Sequence, residues 1–229
     1  MNTASPRPPR RFRLTVGRLL LLVAVLSACT PFLVRALRAR RIRNNEAGII
    51  ASLRTLCTSE AAFQSSTLAD ADNDACGEFG FLGELCGLHA PRGQPVPAAP
   101  AFFTTGFGDH LERLGGTALW RGYYLRVYLP TAKGVALGET GKQAVATAAD
   151  ANLQEVFFAV YAWPVELGET GERAFVVTQE FRVFATRNVG CQNYGGLSNA
   201  PPPEAKPAEN PAPEPEVPAE APLAQSKAG

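Results

Sequence analysis

Residues 44–63 read NNEAGIIASLRTLCTSEAAF, and the fold depends on whether this stretch starts a helix or continues one. Ile49, Ile50, Leu53, Leu56, Cys57 and Ala61 recur at intervals of three and four, with Arg54, Ser59 and Glu60 between them. That spacing predicts an amphipathic helix with one apolar face. Just upstream, residues 19–43 read LLLLVAVLSACTPFLVRALRARRIR, an apolar run that passes into a basic one. Neither Gly nor Pro occurs between Phe32 and Ala47, so nothing obliges the chain to break there. A continuous helix from Leu19 to Gln64 would be roughly 70 Å long, half of it apolar all round and half of it amphipathic.

The apolar run has the flanks of an export signal, with Arg7, Arg10, Arg11, Arg13 and Arg18 before it. Leu19–Val34 is slightly short for a span of about 17 to 25 residues, a deficit that snorkelling of Arg18 and Arg35 can make up. Two readings of Leu26-Ser27-Ala28-Cys29 stay open. As a lipobox, it is cut before Cys29 and the cysteine receives lipid. As part of an uncut anchor, it supplies small residues to a membrane helix in which Pro31 is tolerated. Arg35, Arg38, Arg40, Arg41 and Arg43 balance the five arginines on the other side, so the charge rule does not orient the segment. The amphipathic helix that follows favours the uncut anchor.

The net charge of +1 hides a division along the chain. Residues 1–43 hold ten Arg and no acidic residue, and the remainder has twelve basic against twenty-one acidic residues, a net charge of −9. A basic N-terminal segment followed by an acidic body suits a membrane-anchored protein and argues against nucleic-acid binding.

The helical stretch NEAGIIASLRTLCTSEAAF resembles the helix of bacterial type IV pilin-like proteins and of the major pseudopilins of type II secretion. In that family a Pro in the apolar helix is followed by basic residues and an Asn-Glu-Ala start, as Pro31, Arg35 to Arg43 and Asn45-Glu46-Ala47 are here, with a spacing a few residues longer. YAWPVELGETGERAFVVTQEFRVFATRN, residues 161–188, is similar to the C-terminal sheet of the same proteins. The resemblance implies an α+β, pilin-like fold in which the long N-terminal helix packs on a C-terminal antiparallel sheet. It also implies self-assembly, or assembly with other pilin-like subunits, through that helix. One departure is specific. Gly17 is followed by Arg18-Leu19-Leu20-Leu21-Leu22, without the Phe and the acidic residue that prepilins carry.

Residues 66–87, STLADADNDACGEFGFLGELCG, form an acidic, Gly-containing loop that leads into an apolar stretch. Asp70, Asp72, Asp74 and Glu78 alternate as oxygen ligands do in calcium loops, which makes them candidate calcium ligands. The EF-hand template fails, because Ala75 stands at its Gly position and Phe81 at its final Glu. Major pseudopilins bind calcium in a loop of the globular domain, but the resemblance does not supply these residues as ligands. A solvated acidic turn is the alternative. Cys76, Cys86 and His89 lack the fourth ligand and paired spacing of a zinc site.

Residues 88–117 read as a long surface loop with a short helix near Asp109 to Leu114. Beyond it, Tyr123, Leu125, Val127 and Leu129 alternate with Tyr124, Arg126 and Tyr128 in a half-buried strand, residues 122–130. Further strands are expected at 155–164, 174–178 and 181–186, the last two joined at Gln179-Glu180. The result is an antiparallel meander able to cover the outer half of the long helix. LGETG occurs twice, at 137–141 and 167–171, marking two loops rather than a duplicated domain. Trp120, Tyr123, Tyr124, Tyr161 and Trp163 form either a carbohydrate or partner surface or ordinary sheet packing.

Cys57, Cys76, Cys86 and Cys191 lie outside the membrane segment, and in an exported protein an even four points to disulfides in one of three pairings. Cys76 with Cys86, and Cys57 with Cys191, is the preferred arrangement. Residues 199–229, rich in Pro, Ala and Glu, cannot bury enough apolar surface to fold and are expected to be a disordered spacer. The expected layout is therefore a basic cytoplasmic segment (1–18), a transmembrane and juxtamembrane helix (19–43), a pilin-like periplasmic domain (44–198) and the tail. No nucleophile elbow, metalloprotease motif or phosphate-cradling loop occurs, so a structural role in the cell envelope is expected rather than an enzyme. An anchored or Cys29-lipidated binding module is the alternative.

Overall fold

The computed structural model describes residues 16–142, 150–188 and 193–203. The fold is α+β, with one long N-terminal helix and a six-stranded antiparallel sheet. The chain divides into two units, one ending at Arg40 and the other starting at Arg41.

In the first unit, helix α1 (Val16–Ser65) passes through Pro31 without interruption. The Thr30 hydroxyl donates to the Leu26 carbonyl at 2.7 Å, a local bond of the kind that supports an apolar helix around a proline. Leu20, Leu21, Phe32 and Leu33 are 60 to 73% exposed, and Cys29 is exposed with them. Among the described residues this is the one helix long and apolar enough to cross a membrane, a test that a signal sequence also passes.

In the second unit, α1 buries Ile49, Ile50, Leu53, Leu56, Cys57 and Phe63, the apolar face anticipated from the spacing. Ser59 and Glu60, expected between the apolar positions and toward solvent, are buried as well. The reason is a second layer of chain on that flank. The Ser59 hydroxyl donates to the Phe102 carbonyl at 2.7 Å, and a Glu60 oxygen accepts the Gly80 N–H at 2.9 Å.

The strands are β1 (Ala118–Trp120), β2 (Tyr123–Pro130), β3 (Ala136–Gly138), β4 (Ala159–Pro164), β5 (Ala174–Thr178) and β6 (Val183–Thr186). They run in the order β1-β2-β4-β5-β6, with β3 also paired to β2. Tyr123, Leu125, Val127 and Leu129 of β2 join Val160 and Ala162 of β4 and Phe175 and Val177 of β5 in the cluster that holds the helix's apolar residues. Tyr128, Tyr161, Trp163 and Val176 belong to a second cluster, which Tyr194 and Ala200 pack against. Tyr123, Tyr161 and Trp163 are buried, so three of the five aromatic residues considered as a surface are sheet packing.

Several boundaries differ from expectation. The strand expected from residue 155 begins only at Ala159, because Asp150 caps a short helix α3 (Ala151–Gln154) by accepting the Leu153 N–H at 3.1 Å. β1 and β3 have three residues each, too few for alternation to reveal them. The 88–117 segment is no surface loop. Arg92, Phe103, Phe107 and Leu111 are buried, and its helix is a 3-10 helix at Thr105–His110, slightly earlier than expected. Pro201 is buried and the Tyr161 hydroxyl donates to the Pro203 carbonyl at 3.3 Å, so the chain packs past the expected start of the tail at 199. Residues 204–229 of the tail, and Cys191, lie outside the described residues.

Candidate functional site

The densest chemistry lies beneath residues 78–92, where four carboxylates and one guanidinium are withdrawn from water. Glu60, Glu78, Glu84, Glu139 and Arg92 are each 3% exposed or less. Glu60 comes from α1, Glu84 from α2 (Leu82–Leu85), Glu139 from the first LGETG, and Glu78 and Arg92 from the loops on either side of α2. Arg92 pairs with Glu78 at 2.9 Å and with Glu84 at 3.3 Å, and its other terminal nitrogen donates to the Phe79 carbonyl. Glu84 also accepts the Phe81 N–H at 2.8 Å and the Arg92 N–H at 2.9 Å. Glu139 accepts the N–H groups of Leu82 and Gly83 at 2.9 and 2.8 Å, filling positions at the start of α2 that no helical carbonyl can fill.

Burial pushes both Glu60 and Glu139 up to about 8, against the hydrogen bonds that each accepts from the backbone. Loss of water disfavours the charged carboxylate, the Glu84 charge adds to the effect at both groups, and Arg92 beside Glu60 and Arg126 beside Glu139 only partly oppose it. Sealed from solvent, the layer clamps the 78–92 segment onto α1 and β3 rather than presenting groups to a soluble substrate. Little in the sequence announces it. The one local signal is Glu84, a charge inside the apolar stretch FGFLGELCG.

The expected calcium residues separate. Asp70, Asp72 and Asp74 come together, each offering an oxygen within 4.8 Å of the others. Glu78 turns inward instead, accepting the Ala71 N–H at 2.8 Å and pairing with Arg92. Asp70 accepts the N–H groups of Asp74 and Ala75 at 3.2 and 3.1 Å, and Asp74 accepts that of Cys76 at 2.7 Å. Three carboxylates partly spent on their own turn fall short of the six to eight oxygens that calcium takes. Asp74 also lies within reach of Cys76 and Glu155, whose carboxylate takes a hydrogen bond from the thiol and raises its pKa.

The expected Cys76–Cys86 bridge does not form. Cys76 is exposed beside Glu155, whereas Cys86 is buried and donates to the Thr104 carbonyl at 3.3 Å. Cys57 is a free, buried thiol, and burial pushes Cys57 and Cys86 up to about 12, where they behave as small apolar side chains. His89 is half-buried next to Gly83, and His110 sits 3.2 Å from Arg113; neither belongs to a ligand-spaced group among the described residues.

At the other end of the outer helix, Glu46 pairs with Arg173 at 2.6 Å and accepts the N–H groups of Glu172 and Arg173 at 3.0 and 3.1 Å. Asn45 donates to the Thr170 carbonyl at 2.9 Å. Asn45 therefore grips the second LGETG and Glu46 the two residues after it, as Glu60 grips the segment at the far end of the same helix.

A family model described as a protein of unknown function (DUF2950) matches residues 34–196. The match covers well over half of the chain, and the protein belongs to that family. It starts inside α1 and takes in all six strands. No curated protein and no solved structure matches the chain.

Proposed function

We propose that this DUF2950 protein is a membrane-anchored, pilin-like structural protein of the bacterial cell envelope. In this reading α1 crosses the inner membrane once, and the sheet domain stands in the periplasm or at the cell exterior. The supporting observation is the unbroken course of α1 from Val16 to Ser65, with apolar side chains exposed along its first part and buried in a domain core along its last. A helix that is apolar all round needs an apolar solvent, and a bilayer or the helices of neighbouring subunits would supply one.

Assembly would proceed by packing rather than by bond chemistry. Successive copies would bury the apolar part of α1 in a heterologous, non-closing contact, which generates a filament. A second reading rests on one specific feature. The apolar run has no acidic residue, and its exposed Cys29 follows Leu26-Ser27-Ala28, which favours a non-assembling module anchored by the helix or by lipid.

Two measurements separate these. Intact mass of the mature N-terminus should show an uncut chain or a start just after Gly17 if α1 anchors the protein, and a lipidated Cys29 otherwise. For assembly, a chain carrying cysteines at both exposed positions, Ala47→Cys and Thr58→Cys, in a Cys29→Ser, Cys76→Ser background, should give ladders of oxidised multimers in cells. Monomer alone, under conditions where the protein is made and exported, would refute subunit packing through α1.

A further inference from the structure

On the solvent side of the outer helix runs an open groove of about 290 Å³. Its floor is a stripe of small residues on α1, Gly48, Ala51, Ser52 and Thr55. Its wall is aromatic: Phe107 stacks on Trp120 with ring centroids 4.5 Å apart, and Phe103 meets Phe107 at a tilt, 4.7 Å away. Arg121 closes one end, its guanidinium 5.9 Å from the centre of the Trp120 ring. Gly48 makes room for it, since a Cβ there would meet Arg121 Cδ at 2.7 Å.

Two features mark this groove as a site for a ligand rather than unfinished core. The Trp120 indole N–H has no acceptor among the described residues, whereas the protein's other tryptophan, Trp163, donates to the Gly196 carbonyl at 2.8 Å. An unmet N–H withdrawn from water is costly. The only charge among the lining residues is the positive one of Arg121, which is exposed and makes no ion pair among the described residues.

We infer that the groove is the docking site for this chain's own C-terminal segment, residues 204–229, bound in cis as an extended proline-rich strand around Pro211–Pro218. That stretch reads PAPEPEVP and carries Glu214 and Glu216. Proline-rich segments held in the polyproline II conformation dock on aromatic-lined grooves, where prolines pack between rings and a main-chain carbonyl accepts from an indole. The glutamates match Arg121 in charge, the one charge on the groove lining. The reach is sufficient. Pro203 lies against Tyr161 of β4, two strands from β1 or roughly 10 Å, and three residues along the strand and one sheet face away from Trp120 add roughly 10 Å each, a path of roughly 30 Å. From Pro203, the chain spans up to roughly 25 Å to Pro211 and roughly 46 Å to Pro218 at about 3.1 Å per residue, which brackets that path. This inference is independent of whether the protein forms filaments.

The test uses the full chain in detergent. A fluorescent peptide of residues 207–222 should bind a chain whose own tail carries Pro211→Ala, Pro213→Ala, Pro215→Ala and Pro218→Ala. Arg121→Asn should weaken that binding about tenfold, and so should Ala51→Gln, which fills the floor. Asn is chosen because Arg121 has φ +48°, a conformation that Asn tolerates, and Ala51 is an exposed helix position, so both variants keep the fold. In the otherwise native chain, a Glu-specific protease should remove the tail several-fold faster from Arg121→Asn than from wild type, at a rate independent of protein concentration. Peptide binding unmoved by either substitution, or tail protection that rises with concentration, would overturn docking in cis.

Discussion

LGETG occurs twice in this chain, and the two copies do opposite things. In the first, Glu139 is buried and Thr140 exposed; in the second, Thr170 is buried and Glu169 is more open than Glu139. The first copy runs out of β3, and its carboxylate reaches across to the start of α2. The second is a closed loop between β4 and β5, pinned by Gly168 N–H to the Gly171 carbonyl at 2.7 Å. Its Thr170 hydroxyl bonds the Glu166 backbone. Identical residues thus take different roles because each loop faces a different neighbour. The first faces orphan N–H groups of a short helix, and the second faces Asn45 of α1 and the Tyr123 hydroxyl, which lies where a Cβ on Gly171 would be.

This contrast can be broken by substitution. Glu139→Ala strips the acceptors from two buried N–H groups and leaves a cavity, so it should cost about 3 kcal/mol, against about 0.5 kcal/mol or less for the exposed Thr140→Ala in the same loop, both read by denaturant unfolding. Equal costs would mean that the clamp at α2 contributes nothing.

A pH series sharpens the same point. Glu60 and Glu139 titrate near 8 when folded and near the ordinary carboxylate value when unfolded, so the unfolded chain gives up its protons first. Between about pH 4.5 and 8 the folded state therefore holds more protons, and their contribution, complete at the acid end, is lost as pH rises through that window. The unfolding midpoint should fall across it, and Glu139→Leu should flatten the slope. The smallest effect concerns the threonines. Thr170→Val, which removes the hydroxyl bonds to Glu166, should cost about 1 kcal/mol, and the exposed Thr140→Val close to nothing, both measurable by thermal unfolding.

Where the chain repeats a short-period pattern, the fold was legible. The three- and four-residue spacing of Ile49, Leu53 and Leu56 and the alternation of Tyr123, Leu125, Val127 and Leu129 identified the two faces that meet in the core. Patterns failed where local signals were short or shared. Residues 155–158 look like strand until Asp150 caps a helix before them, and residues 88–117 look like loop although Phe103, Phe107 and Leu111 enter the core. Asp70, Asp72, Asp74 and Glu78 alternate evenly, yet Arg92, fourteen positions beyond Glu78, takes one of them away.

The amino-acid sequence by itself determined the helix, its apolar first half, the principal strands and the charge division along the chain, because each is written in residues close together in the chain. The tertiary structure alone decided the rest. It brought Glu60, Glu84, Glu139 and Arg92 into one sealed layer, parted Cys76 from Cys86, and set Trp120 and Arg121 over Gly48. Those outcomes depend on which distant groups meet in a space without water, where an unpaired charge or N–H is costly and the arrangement that satisfies the most of them prevails.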